Sequence, residues 1–139
     1  MIYMGTTKIS PERTAGEIQQ TLSKCGATQI ATDYDKGKIT ALRWTMAIQG
    51  KAVCFSLPIR VDPVFRVMNT RGRADRAQAE RTAWRLLLRW TQAQLALIET
   101  GMVDAAEVFT PYLQVNNKQT LYQKLLEGGG LRMLSAPKD

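Results

Sequence analysis

The stretch KITALRWTMAIQGKAVCFSLP, residues 38–58, decides the fold. Along 38–48, Leu42, Trp44, Met46 and Ile48 share one face, and Arg43 and Thr45 point the other way. That period of two is the signature of a half-buried strand. Gln49-Gly50 reads as a tight turn, after which Val53, Phe55, Leu57 and Ile59 repeat the alternation. The result is a hairpin with one apolar face and one face of small and polar residues. Pro58, late in its second arm, suits a sheet edge or a strand end. Upstream, residues 28–34 alternate more weakly, and Asp35-Lys36-Gly37 is a second turn signal. The pattern predicts an antiparallel meander of three strands, or four if residues 3–9 contribute one.

Helix signals flank this meander. Ser10 caps, Pro11 occupies the first helical position and Glu12 complements the dipole. Ala15, Ile18, Leu22 and Cys25 then recur at helical spacing until Gly26 stops the run, which predicts a helix over 11–25. Asp62-Pro63 restarts a short helix over 63–68, interrupted over 69–73. A long helix follows over 74–100. At 100° per residue its Arg81, Arg85, Arg89, Gln92 and Glu99 form one narrow stripe. Trp84, Leu87, Leu88, Leu95 and Ile98 lie in the apolar arc that fills most of the remaining circumference. A helix apolar over so much of its surface is buried on more than one side, and it is expected to be the spine on which the sheet packs. Gly101 ends it. Asp104 is placed to cap a helix over 105–113 that Pro111 limits. Asn116 or Asn117 begins a last helix through Leu121 and Leu125, closed by the glycines at 128–130. Residues 131–139 read as a loose tail.

The expected fold is therefore α+β, a single domain over 1–139. It comprises an N-terminal helix, an antiparallel meander of three or four strands, a long buried helix and shorter C-terminal helices. A chain of 139 residues, 45% of them hydrophobic, can bury a core without staples. Cys25 and Cys54 are spaced neither as a metal knuckle nor as a redox pair, so a reducing cytoplasm is the expected setting. Residues 1–10 lack the apolar run of a signal peptide. No stretch approaches the roughly 18 apolar residues of a membrane span, so no membrane partner is expected.

The chain contains no histidine. That removes Ser-His-Asp and Cys-His nucleophile systems and the usual zinc and iron sites. Phosphate-loop and dinucleotide fingerprints are absent too, so no cofactor is implied. Carboxylate-only magnesium chemistry survives this test. Asp33 and Asp35, flanking Tyr34, are its only candidates, and turn aspartates are common without metal. A magnesium-dependent nuclease therefore ranks last among the readings.

Charge is the positive signal. The formal net charge is +7, which favours an anionic partner. Residues 60–90 carry eight arginines, no lysine and three acids, so +5 of the +7 is concentrated there. Arginine forks onto phosphate and stacks on bases where lysine does not. Arg71, Arg73 and Arg76 bracket Gly72 at the entrance to the long helix, where backbone amides add to an anion site. The row Arg81, Arg85 and Arg89 has two readings: an extension of that site, or the solvated stripe of a buried helix paired to acids elsewhere. On the sheet's second face, Arg43 with Thr45, Cys54 and Ser56 is either a platform or a second layer of small-residue packing. The strand aromatics Trp44 and Phe55 lie on the core side, which counts against base stacking there. Arg71, Arg73, Arg76, Arg81, Arg85 and Arg43 are thus the candidate nucleic-acid contacts. The leading function is a non-enzymatic nucleic-acid-binding protein. The alternative is a module that binds a host protein or a nucleotide signal and so inhibits a host defence system. Oligomeric state is not legible.

Two stretches carry a resemblance: TAGEIQQTLSKCGATQIATDYDKGKITALRW, residues 14–44, and AWRLLLRWTQAQLALIETGMVDAAEVFTPYLQ, residues 83–114. Between them the chain resembles a group of small uncharacterised proteins encoded by bacteriophages and prophages. The resemblance implies a phage origin, a bacterial host cytoplasm, and an accessory role in DNA replication and recombination or against host defences. It supplies no site residues.

Overall fold

The computed structural model of the protein describes residues 2–130. Three antiparallel strands in the order β1–β2–β3 form the sheet: β1 is Gln29–Asp35, β2 Lys38–Ile48 and β3 Lys51–Pro58. Both hairpins close through two residues of positive φ, Lys36 (51°) with Gly37 (78°) and Gln49 (51°) with Gly50 (80°). Such turns match the right-handed strand twist, and they explain a glycine at the second position of each. Trp44 lies opposite Ile30 on one side and Phe55 on the other, so the alternation read from 38–58 becomes one continuous apolar face. Among the described residues no fourth strand joins the sheet. Its place beside β3 is taken by a single bridge, Phe55 to Leu113, and by the Gln114 amide donating to the Cys54 carbonyl at 2.8 Å.

The helices are α1 (Pro11–Cys25), α2 (Val61–Met68), α3 (Arg76–Glu99), α4 (Ala105–Phe109) and α5 (Leu121–Glu127), with a 3₁₀ turn at Thr110–Tyr112. α1 has the predicted ends: the Arg13 amide donates to the Ser10 hydroxyl, and Gly26 closes it in the left-handed region. α3 starts two residues later than expected because Asp75 caps it, accepting from the Ala77 amide. Ile18 and Leu22 of α1 and Trp84 and Leu88 of α3 close over Leu42, Trp44, Met46, Phe55 and Leu57, with Phe109 completing the core. The long helix does pack over the sheet's apolar face, but it shares that face with α1.

Four expectations are corrected. Residues 3–6 form turns and 7–9 are irregular, not a strand; the carbonyls of Met4, Gly5 and Thr7 accept from Thr82, Gln78 and Arg81 of α3 instead of from a strand partner. α2 begins at Val61, not Pro63; its N-cap is Arg60, whose donor-only side chain accepts no amide, and the Asp62 carboxylate expected to cap is held by Arg76 instead. The helix expected over 105–113 stops at Phe109 and tightens into the 3₁₀ turn around Pro111, whose missing amide breaks the helical ladder. The last helix starts at Leu121, not at an asparagine. Asn116 folds back to accept from the Lys118 and Gln119 amides, and Thr120 with Gln123 forms a capping box. The tail expected over 131–139 lies outside the described residues. Among those described, no helix is long and apolar enough to cross a membrane.

Cys25 sits buried at the end of α1. Burial, and secondarily the charge of Glu99, push its thiol from an ordinary 9.0 up to about 11. The unfolded thiol ionises first as pH rises, so this group favours the folded state below pH 9 and loses that contribution between pH 9 and about 11. Because the thiolate is the nucleophile, titration with a disulfide reagent at pH 8 should show Cys25 reacting only after denaturant is added. Two rapidly reacting thiols in the native protein would contradict this placement.

Candidate anion-binding surface and adjoining cleft

The arginine-rich segment folds as α2, a tight loop and the start of α3. α2 lays Val64, Phe65 and Met68 half-buried and leaves Arg66 and Val67 exposed. Asn69 then shapes the loop. Its side chain accepts from the Ala74 amide at 3.0 Å, and its carbonyl accepts from the Gly72 amide at 3.1 Å. Gly72 has φ 69°, a conformation that would strain a side-chain-bearing residue, and it holds Arg71 and Arg73 exposed on either side. Arg76 opens α3, pairs with Asp62 and lies over the Phe65 ring at 5.7 Å from its centroid.

The local acids decide the electrostatics. Residues 60–76 contain two, Asp62 and Asp75. The first is paired with Arg76 and the second caps the Ala77 amide. Arg60, Arg66, Arg71 and Arg73 are exposed, and none has an ion-pair or hydrogen-bond partner among the described residues. Arg60 and Arg66 were not among the predicted contacts. The only sequence signal for them was membership of the same lysine-free segment.

The other predicted arginines lie elsewhere. Arg43 is on the outer face of the sheet, where Nε and Nη2 fork onto the Asp33 carboxylate at 2.9–3.1 Å. Those hydrogen bonds, and the Asp33 charge, raise the Arg43 pKa above the ordinary guanidinium value. Arg81 is half-buried, its Nε donating to the Thr7 carbonyl and its Nη2 to Gln78, and so it fastens residues 2–9 onto α3. Arg85 is 6% exposed and ion-paired with Glu17 of α1, so it is not displayed on the surface as Arg71, Arg73 and Arg76 are. The row read as a stripe is thus half-buried at Arg81, buried at Arg85 and exposed only at Arg89. Arg71 and Arg73 lie exposed on the loop, Arg76 opens α3, Arg60 and Arg66 lie exposed at the start of α2 and in its last turn, and Arg43, Arg81 and Arg85 are held by internal partners.

Arg60 also borders a cleft of about 590 Å³, where the first turn of α1, the β1–β2 turn, the β3–α2 connection and the start of α3 meet. Ile39, Ile59 and Trp84 line it, with charged groups of both signs around them. Lys38 pairs with Glu80 at 2.8 Å, and Arg76 with Asp62, so these four charges are compensated within the protein. Among the described residues no three acidic or cysteine side chains are grouped to hold a metal. Asp33 is engaged by Arg43, whereas Asp35 lies at the cleft, so the two aspartates do not form one site. No protein-family model, no curated protein and no solved structure matches the chain.

Proposed function

We propose that the protein is a non-enzymatic nucleic-acid-binding accessory protein of phage origin, gripping phosphates through Arg60, Arg66, Arg71 and Arg73. One observation carries this reading: both acids within residues 60–76, Asp62 and Asp75, are already engaged within the protein, and these four arginines are not. An exposed guanidinium with no internal partner loses little on meeting a phosphate and gains a forked, charge-assisted hydrogen bond. The phage origin is supported by the resemblance of residues 14–44 and 83–114. With no exposed ring in residues 60–76, binding should be dominated by phosphate and weakly dependent on sequence.

Fluorescence anisotropy against single-stranded DNA, duplex DNA and RNA, over a range of salt, tests the reading. The triple variant Arg66→Ala/Arg71→Ala/Arg73→Ala should keep the wild-type fold, since exposed substitutions shift stability by about 0.5 kcal/mol or less each. Its affinity should fall at least about tenfold, and its salt slope should flatten by about one per lost phosphate contact. A charge-matched control at Lys24, Lys51 and Lys118, all exposed, should lose much less. Equal losses in both variants would reduce the binding to net charge alone. No binding to any of the three nucleic acids at low salt would end the proposal.

A further inference from the structure

The cleft meets the arginine surface at Arg60 and is otherwise separate from its exposed cations. Its volume of about 590 Å³ falls in the range of small-molecule sites. Its chemistry has three parts. Half-buried Pro11, Ile59 and Val61, with exposed Pro63, offer an apolar floor, and the core side chains Ile39 and Trp84 border it with 9% and 2% of their surface exposed. Glu12 and Asp35 are acceptors, and Lys36 and Arg60 are cations; none of these four has a side-chain partner among the described residues. Val61, Asp62 and Pro63, the first turn of α2, border the cleft next to Arg60.

Each simpler ligand leaves one part of this lining unanswered. An apolar molecule would desolvate the four unpartnered charges without compensating them. An inorganic anion would meet Arg60 and Lys36 but leave the apolar floor empty, with two carboxylates nearby. A ligand that satisfies all three parts has a flat, largely apolar ring, N–H or O–H donors for carboxylates, and a phosphate. We propose that the cleft binds one nucleotide unit, its phosphate at Arg60 and Lys36, its base against Ile59 and Val61 between Pro11 and Pro63, and its amino or hydroxyl donors toward Glu12 and Asp35. The unit has two available sources: a free nucleoside monophosphate, or the terminal nucleotide of a strand lying on the arginine surface. The second source rests on the reading given under Proposed function.

The test titrates the full chain with the four common nucleoside 5′-monophosphates, ribose 5-phosphate and inorganic phosphate, following heat and the Trp84 indole resonance. At least one nucleotide should bind tenfold or more tightly than either phosphate control and should shift Trp84. Arg60→Ala and Lys36→Ala should each weaken it by about tenfold, and Glu12→Gln with Asp35→Asn should change the order of preference among the bases. Equal affinity for nucleotide and inorganic phosphate, or a Trp84 resonance that does not move, overturns the inference. A duplex closed at both ends by hairpin loops separates the two readings. If it binds and no mononucleotide does, the cleft inference falls and the arginine surface stands. If a mononucleotide binds and no nucleic acid does, the cleft stands with a free nucleotide as its ligand and the arginine reading falls. A 5′-phosphorylated single strand that shifts Trp84 and outcompetes the mononucleotide tenfold identifies the strand end as the source; one that competes no better identifies the free nucleotide.

Discussion

Phe109→Ala is expected to lower the unfolding free energy by about 3–5 kcal/mol, the range for truncating a buried aromatic side chain. Phe109 is fully buried and is the one buried residue of α4. Its ring meets Trp44 edge-on at 5.3 Å between centroids, Phe55 at 6.1 Å and Trp90 at 6.0 Å. It therefore ties the sheet, α3 and the C-terminal elements together at a single point. Neighbours drawn from three elements cannot collapse into the space without moving a strand or a helix, so most of the cavity should persist. Phe109→Leu keeps most of the volume and should cost only about 1–1.5 kcal/mol. Urea unfolding followed by tryptophan fluorescence measures both, since two of the contacting rings are indoles. A loss under about 1.5 kcal/mol for the alanine variant would show that Phe109 is not the junction described.

How much of this was legible depends on whether the deciding interaction is local. The hairpins were legible because two short-range signals coincide, alternation along 38–58 and a glycine in each turn. The ends of α1 were legible because Ser10-Pro11-Glu12 and Gly26 act within one turn of the helix they bound. The C-terminal elements were harder. Asn116 is as good a cap by composition as Thr120, but its side chain is turned onto the Lys118 and Gln119 amides, and the pair Thr120 and Gln123 takes over. That pair is a readable signal that was passed over. Residues 3–9 read equally as a short fourth strand or as none, because nothing local reveals that Gln78, Arg81 and Thr82 hold their carbonyls from more than seventy residues away. The candidate site divides in the same way. Arg71 and Arg73 are exposed because a glycine loop exposes them. The cleft, assembled from four separate segments, has no signature in any one of them.

Arg85 is the sharpest instance. A helical wheel gives the face of α3 that Arg85 occupies but not what covers that face, and the cover is α1. Arg85 Nη1 donates to Glu17 and, at 3.4 Å, to the Thr14 hydroxyl, while Nε has no partner. The guanidinium is 8% exposed and the carboxylate 36%. Removing one partner of a buried pair costs about 3–5 kcal/mol, because the other charge stays uncompensated. The partial exposure of Glu17 lets water relieve some of that cost, so Glu17→Leu should destabilise by about 2–3 kcal/mol. Arg85→Met removes the charge that needs a partner, and the double variant Glu17→Leu/Arg85→Met should return to within about 1 kcal/mol of wild type, since apolar replacements of similar volume often match a buried pair. Chemical denaturation of the two single variants and the double variant closes the cycle; additive losses would show that the two side chains do not act on each other. The double variant should also bind nucleic acid with the wild-type salt slope, because neither residue belongs to the exposed arginine surface. A slope flattened by about one would return Arg85 to the set of phosphate contacts and require α1 to move aside on binding.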